Sequence, residues 1–225
     1  MEEKSVAIDG PSGAGKSTLA RLAAKKFGLI YVDTGALYRT VGLFVLRGGV
    51  ESKDERGVAR LLPEIEIEMR YDGEGVQRMI LNGEDVTDDI RLPEVSIYAS
   101  DVSAMVPVRA FLLQMQRDMA VKYNAILDGR DIGTVVLPGA GLKIFLTAEP
   151  GIRAARRHTE LREKGVAAAY EDVLRDINYR DVNDSSRAAA PLRAAEGAVI
   201  LDTSAIDLNE SFEVICGMIR ERLAL

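Results

Sequence analysis

The chain has 225 residues, 47% of them hydrophobic, which supports one α/β domain with a large core and leaves too little length for two independent domains. A net charge of -6 argues against nucleic acid or an anionic membrane as a partner, so any arginines that bind phosphate must be gathered locally. The single cysteine, Cys216, excludes an internal disulfide, and with no charged-then-apolar leader and no run of about 18 apolar residues the expected setting is the reducing cytoplasm.

Val6-Ala7-Ile8 predicts a buried strand. Gly10-Pro11-Ser12-Gly13-Ala14-Gly15-Lys16-Ser17 follows, and then a helix carrying Leu19, Leu22, Ala23 and Phe27 on one face, with Gly28 at its end. Strand, glycine-rich loop and helix in this order form a nucleoside triphosphate site. The spacing lets backbone N–H groups curl around the phosphates, while Lys16 reaches the β and γ oxygens and the Ser17 hydroxyl faces Mg²⁺. The nucleoside triphosphate contacts expected here are Gly10, Pro11, Ser12, Gly13, Ala14, Gly15, Lys16, Ser17 and Thr18.

A strand over Leu29–Val32 comes next, then a helix opened by Asp33-Thr34-Gly35 that stops at Gly48-Gly49. Ser52 and Glu55 have the spacing of a capping box and predict a short helix ending before Pro63. Ile65, Ile67, Met69 and Tyr71 alternate with charged residues, Val76–Leu81 gives a second strand, and Asn82-Gly83 turns the chain into Glu84–Val86. This three-stranded antiparallel meander interrupts an otherwise βαβ pattern, either as decoration or to cover or select a second substrate.

Helices over Pro93–Met105 and Val108–Tyr123 follow, the second with Met115 and Met119 as core filler. Ala125–Leu127 and Leu142–Leu146 read as buried strands, with Asp128-Gly129-Arg130-Asp131 at the carboxyl end of the first, where open parallel sheets bind ligands. Helices over Pro150–Lys164 and Tyr170–Arg187, a strand over Val199–Leu201 and a helix over Asp207–Leu223 complete the chain. Cys216 reads as a buried thiol among Phe212, Ile215 and Ile219, and His158 as an exposed helix residue lacking the partners of a metal site.

The phosphate loop alone does not separate a kinase from a motor or a switch. No Asn-Lys-x-Asp or Thr-Lys-x-Asp segment is present to read guanine. Arginines are abundant outside the loop, at 39, 130, 153, 156, 157, 180 and 187. A second anionic substrate and a transferring phosphoryl group both require such guanidinium clamps. A nucleotide-dependent switch has no second anion to clamp, which places it behind a small-substrate kinase.

Four segments carry a family resemblance: Ile8-Asp9-Gly10-Pro11-Ser12-Gly13-Ala14-Gly15-Lys16, Asp33-Thr34-Gly35-Ala36-Leu37-Tyr38-Arg39, Asp128 through Val136, and Arg180-Asp181-x-x-Asp184-x-x-Arg187-x-x-x-Pro191-Leu192. In these the chain resembles the bacterial cytidylate kinases over essentially its whole length. The resemblance implies transfer of the ATP γ-phosphoryl group to CMP or dCMP, with Mg²⁺. It implies that Thr34, Arg39, Arg130 and Arg187 hold the CMP phosphate, that Ser100, Arg109 and Asp131 read cytosine, and that Arg180 and Asp184 face the ribose. Lys16, Arg130, Arg157 and Arg187 would carry the catalysis. Thr34 stands where the family commonly has Ser, and Ser17 where some members have Gly.

The expected architecture is a three-layer α/β P-loop fold, a parallel sheet flanked by helices, with an inserted antiparallel CMP-binding subdomain and a short lid. The core would cover about 1–62 and 104–225, the insert about 63–103, and the lid about 151–168, where Arg153 and Arg157 would contact ATP. Ser17 is the expected metal ligand. Asp33 and Asp128 follow strand ends, so each fits either a water-mediated Mg²⁺ contact or a helix cap. The expected molecule is a monomer with no nucleic-acid or membrane partner; a kinase acting on UMP or on a non-nucleotide acceptor is the alternative.

Overall fold

The computed structural model describes residues 4–163 and 165–224. In chain order the main elements are β1 (Val6–Asp9), α1 (Lys16–Phe27), β2 (Ile30–Asp33), α2 (Thr34–Arg47), α3 (Glu55–Leu61), β3 (Ile67–Tyr71), β4 (Gln77–Leu81) and β5 (Glu84–Asp85). Then come α4 (Pro93–Ser103), α5 (Val106–Lys122), β6 (Ala125–Gly129), β7 (Leu142–Thr147), α6 (Pro150–Glu163), α7 (Tyr170–Ser186), β8 (Val199–Asp202) and α8 (Leu208–Leu223). Lys164, the expected end of the sixth helix, lies outside the described residues.

Five strands form one sheet in the order β2-β6-β1-β7-β8, and three form a separate sheet in the order β3-β4-β5. β1 runs parallel to β6 on one side and to β7 on the other, aligning Asp9 with Gly129 and with Phe145. The chain separates into two compact units, one made of the segments up to Tyr31 and from Ala120 onward, the other of Val32–Met119.

In the first unit all four residues of β1 are buried, as the apolar run requires of a central parallel strand. Val6, Ile8, Ile126, Ile144 and Leu146 of the sheet pack with Leu19, Ala20 and Ala23 of α1 and with Ile215 and Ile219 of α8. Leu22 departs from the expected inward face of α1 and is 39% exposed. Cys216 is fully buried in α8, and burial pushes its thiol above the ordinary range. A smaller cluster of Ala154, Val173 and Ile177 joins α6 to α7. His158 sits beside it, half-buried rather than exposed. Its Nε2 lies 3.1 Å from the Ala168 carbonyl and its ring meets Tyr170 edge-on, and these two neighbours cover it.

The second unit packs Leu37, Val41 and Val45 of α2 against Val95 and Val102 of α4, Val108 and Leu112 of α5, and Ile67, Met79 and Leu81 of the meander. The antiparallel register pairs Ile67 with Leu81 and Tyr71 with Gln77, and Asn82 and Gly83 both take positive φ, 49° and 86°, as a tight hairpin requires. α3 starts differently from the capping-box expectation. Asp54, next to the helix, accepts the Gly57 N–H at 3.0 Å, while Ser52 donates its hydroxyl to Asp101 at 2.6 Å. The chain also continues past Pro63 in a 3₁₀ turn, Leu62–Glu64, since proline is tolerated in a first turn where its missing N–H has no partner. For the same reason α5 begins at Val106, with Pro107 in its first turn.

Among the described residues no single helix is long and apolar enough to cross a membrane. α4 and α5 meet that test only as a pair bent by 98°, and both bury apolar residues in the second unit's core.

Candidate active site

The phosphate loop leaves β1 through Gly10, whose φ is 150° and whose Cβ, if it had one, would lie 1.9 Å from the Leu146 carbonyl oxygen of β7. Only a residue without a side chain fits against that strand. α1 then begins at Lys16 with no side-chain cap and no acidic residue in its first turn, so its leading N–H groups are available to an anion. Lys16 is buried, and its Nζ donates to the Pro11 carbonyl at 2.8 Å. Burial, with the Arg130 charge adding to it, pushes Lys16 down to about 7, against the pull of Asp128 and Asp184.

Ser17 donates its hydroxyl to Asp128 Oδ2 at 2.7 Å, and Tyr31 donates to Oδ1 at 3.0 Å. A hydroxyl paired with a carboxylate beside a phosphate loop suits Mg²⁺, a hard cation that takes one or two protein oxygens and fills its shell with water and substrate phosphates. Asp33 takes the cap instead. Its Oδ1 accepts the Ala36 N–H at 3.0 Å, opening α2, and its Oδ2 accepts Arg91 Nη2 at 2.8 Å. Among the described residues no cluster of three or more His, Cys, Asp or Glu side chains is arranged to hold a metal by itself.

A network of arginines and carboxylates lies in the first unit. Arg130 Nε donates to Asp184 Oδ2 at 2.6 Å, and the Arg187 guanidinium lies 3.7 Å from both Asp184 Oδ1 and Asp131 Oδ1, with its Nε on the Ala190 carbonyl at 2.7 Å. Burial by itself would raise Asp184, but Arg130, Arg187 and Arg180 outweigh it and hold the carboxyl below its ordinary value. Arg180 is pushed down to about 10 by burial and by the Arg130 charge beside it. The guanidinium groups of Arg130, Arg180 and Arg187 are thus gathered with the carboxylates of Asp184 and Asp131, while Asp128 and Asp9 also act on Arg130 and Asp181 on Arg180.

Arg153 is held otherwise than its expected ATP contact. It is buried, and its guanidinium donates to the Ala148 carbonyl at 2.7 Å, the Ser12 carbonyl at 2.9 Å, and both oxygens of Asp181 at 3.0 and 2.5 Å. This side chain ties the phosphate loop to α6 and α7. Arg156 is bound to Thr203, and Arg157 pairs with Glu160 at 2.8 Å, one turn further along α6.

In the second unit Thr34 is buried at the first position of α2. Arg39 donates to Ser96 Oγ at 2.6 Å. Arg109 lies over the Tyr38 ring at 5.4 Å and donates to the Ser103 carbonyl at 2.9 Å, and the buried Ser100 offers its own carbonyl to the Ser103 hydroxyl.

Three residues have no role in the sequence reading and acquire structural partners here. Arg91 pairs with Asp33. The Gln77 side-chain amide accepts the Asp33 N–H at 2.8 Å and donates to the Asp33 carbonyl at 3.2 Å, acting as a surrogate strand for that residue. Asp9 is buried and accepts two backbone N–H groups far along the chain. A carboxylate continuing the apolar run Val6–Ile8 was the one available signal for Asp9; nothing in the local pattern marks Gln77.

The sequence model of the cytidylate kinase family matches residues 6–221. A cytidylate kinase of Caldicellulosiruptor saccharolyticus is 47% identical over 215 residues, covering 96% of this chain and 95% of the relative. One from Carboxydothermus hydrogenoformans is 48% identical over 205 residues, covering 91% and 92%. One from Geobacter sp. strain M21 is 46% identical over 219 residues, covering 97% and 94%. Agreement at this level along nearly the full length of each relative goes well beyond a shared phosphate loop, and the chain belongs to the cytidylate kinase family.

Proposed function

We infer that the chain transfers the γ-phosphoryl group of ATP to CMP or dCMP, giving ADP and CDP or dCDP. The observation that carries this reading is the Arg130–Asp184–Arg187–Asp131 network in the same unit as the phosphate loop, which gathers guanidinium groups able to receive a second phosphate. A hydrolase or switch has no use for it; a second phosphorylated substrate does.

The acceptor phosphate oxygen attacks the γ phosphorus as the bond to the β–γ bridging oxygen breaks, and the electron pair leaves with ADP. That oxygen is already ionised, so no general base is needed, and the protein contributes position and charge neutralisation. Lys16 follows the β and γ oxygens, and Arg130, Arg157 and Arg187 offset charge on the equatorial oxygens. Mg²⁺, held by Ser17 with Asp128, would add positive charge at the β and γ phosphates. Thr34, Arg39, Arg130 and Arg187 hold the CMP phosphate, Ser100, Arg109 and Asp131 read the base, and Arg180 and Asp184 face the ribose. Arg153 supports ATP through the Ser12 carbonyl. The segment 63–103 serves the acceptor, the segment 151–168 acts as the lid, and the rest of the chain forms the core. The enzyme works as a cytoplasmic monomer, without nucleic acid or membrane. Coupled ADP release over CMP, dCMP, UMP and no acceptor tests the reaction: turnover is expected with the cytidine nucleotides, and equal ADP release without acceptor would overturn it.

Asp131 carries the base preference. Cytosine offers an amino donor that a carboxylate accepts, whereas uracil places a carbonyl oxygen there and leaves the carboxylate facing an acceptor. Asp131 is buried, which makes that mismatch costly. Asp131→Ala is expected to lower the CMP/UMP ratio of kcat/KM by about 10- to 100-fold. An unchanged ratio would remove Asp131 from the base site.

A further inference from the structure

Asp9 ends β1 immediately before the phosphate loop, and its side chain bonds a turn that lies far along the chain. Its Oδ1 accepts the Ile132 N–H at 2.7 Å and its Oδ2 accepts the Gly133 N–H at 2.8 Å. These two groups open a single π turn, Ile132–Val136, which closes through the Leu137 N–H on the Ile132 carbonyl at 2.7 Å. The leading N–H groups of a helical turn have no partner inside it, and the residue at the N-cap normally supplies one from its side chain. Here that residue is Asp131, and its side chain makes no cap bond. Asp9 performs the capping from another strand, and the Asp131 carboxylate faces Arg187 at 3.7 Å.

We propose that Asp9 is a positioning residue for acceptor choice: by capping the turn in place of Asp131, it keeps the Asp131 carboxylate directed at the pyrimidine. The proposal rests on the assignment of Asp131 to the base. Its physical content is a competition. Aspartate is among the favoured N-cap residues, so a turn deprived of Asp9 has a replacement cap at its own first position. Taking that role turns Asp131 back onto the backbone and withdraws it from the substrate. Burial of Asp9 sharpens the effect, since no solvent is at hand to satisfy the two N–H groups.

Steady-state kinetics with CMP, UMP and ATP on the full chain, D9N, D131A and the double variant test this. D9N places an amide donor against a backbone donor. It is expected to raise KM for CMP about tenfold and lower the CMP/UMP ratio about tenfold, with KM for ATP changed less than about twofold. The double variant is expected to lose no more selectivity than D131A alone, because Asp9 acts through Asp131. D9N with parental selectivity beside an impaired D131A overturns the proposal, as do losses that multiply in the double variant. Should D131A itself keep parental selectivity, the base assignment fails; a D9N rise in KM confined to CMP then still supports acceptor positioning, and equal rises for CMP and ATP overturn it. If D9N does not fold, the parent protein decides by NMR. The Ile132 and Gly133 amide resonances are expected to shift more with CMP than with UMP, and equal shifts count against the proposal.

Discussion

Gly10→Ala is expected to cost about 3 kcal/mol or more of folding stability and to abolish ATP binding. The added methyl group would lie 1.9 Å from the Leu146 carbonyl oxygen and 3.0 Å from its carbon, so the contact is with backbone and no side chain can swing aside. Leu146 is itself buried in β7, which pairs with β1 on one side and β8 on the other, and the sheet cannot open there without losing ladder bonds on both sides. A positive φ of 150° at position 10 adds backbone strain to the collision. Either the strands separate or the loop lifts away from the start of α1, and both routes misplace the N–H groups that face phosphate. Calorimetry should show a melting temperature lower by about 10 °C and no stabilisation by ATP. A variant that melts with the parent and still binds ATP would show that the loop leaves β1 by another path.

Lys16→Met should lower kcat by about 1,000-fold while the protein stays folded. The methionine fills a similar volume, and the lost hydrogen bond to the Pro11 carbonyl is small beside the lost charge at the transferring group. The parent should also reveal this lysine through protons. Its pKa near 7 lies well below the ordinary 10.5, so the folded apo protein holds fewer protons than the unfolded chain between those values. The lowered value destabilises the fold fully below about pH 7, and this penalty fades as pH rises toward 10.5. Phosphate favours the charged ammonium, so binding ATP without divalent metal at pH 8 should take up most of one proton, an effect lost in Lys16→Met. Titration calorimetry in buffers of different ionisation heat measures it; equal proton uptake in the two proteins would assign it to another group.

The sequence made some features legible and hid others for a physical reason. The strand, glycine loop and helix over residues 6–27 were readable because the spacing is itself the chemistry, and the meander was readable because period-two alternation and Asn82-Gly83 act locally. Helix starts were less secure wherever two capping residues competed. Asp54 prevailed over Ser52 because Ser52 found Asp101, 49 residues away in the chain. Interactions at that distance leave no trace in a local pattern. The bonds of Asp9 span 123 and 124 residues, that of Arg91 to Asp33 spans 58, and that of Gln77 spans 44. Arg153 shows the same limit from the other direction: its place in an arginine-rich helix suggested a ligand, and only the fold brings Ser12 and Asp181 to it.

Cys216 gives the molecule an internal chronometer. As the only thiol in the chain, and fully buried in α8, it meets an alkylating reagent only when that packing opens. The rate of its labelling therefore counts excursions out of the native state, and any nucleotide that binds the closed form will slow the count without the need for an added probe.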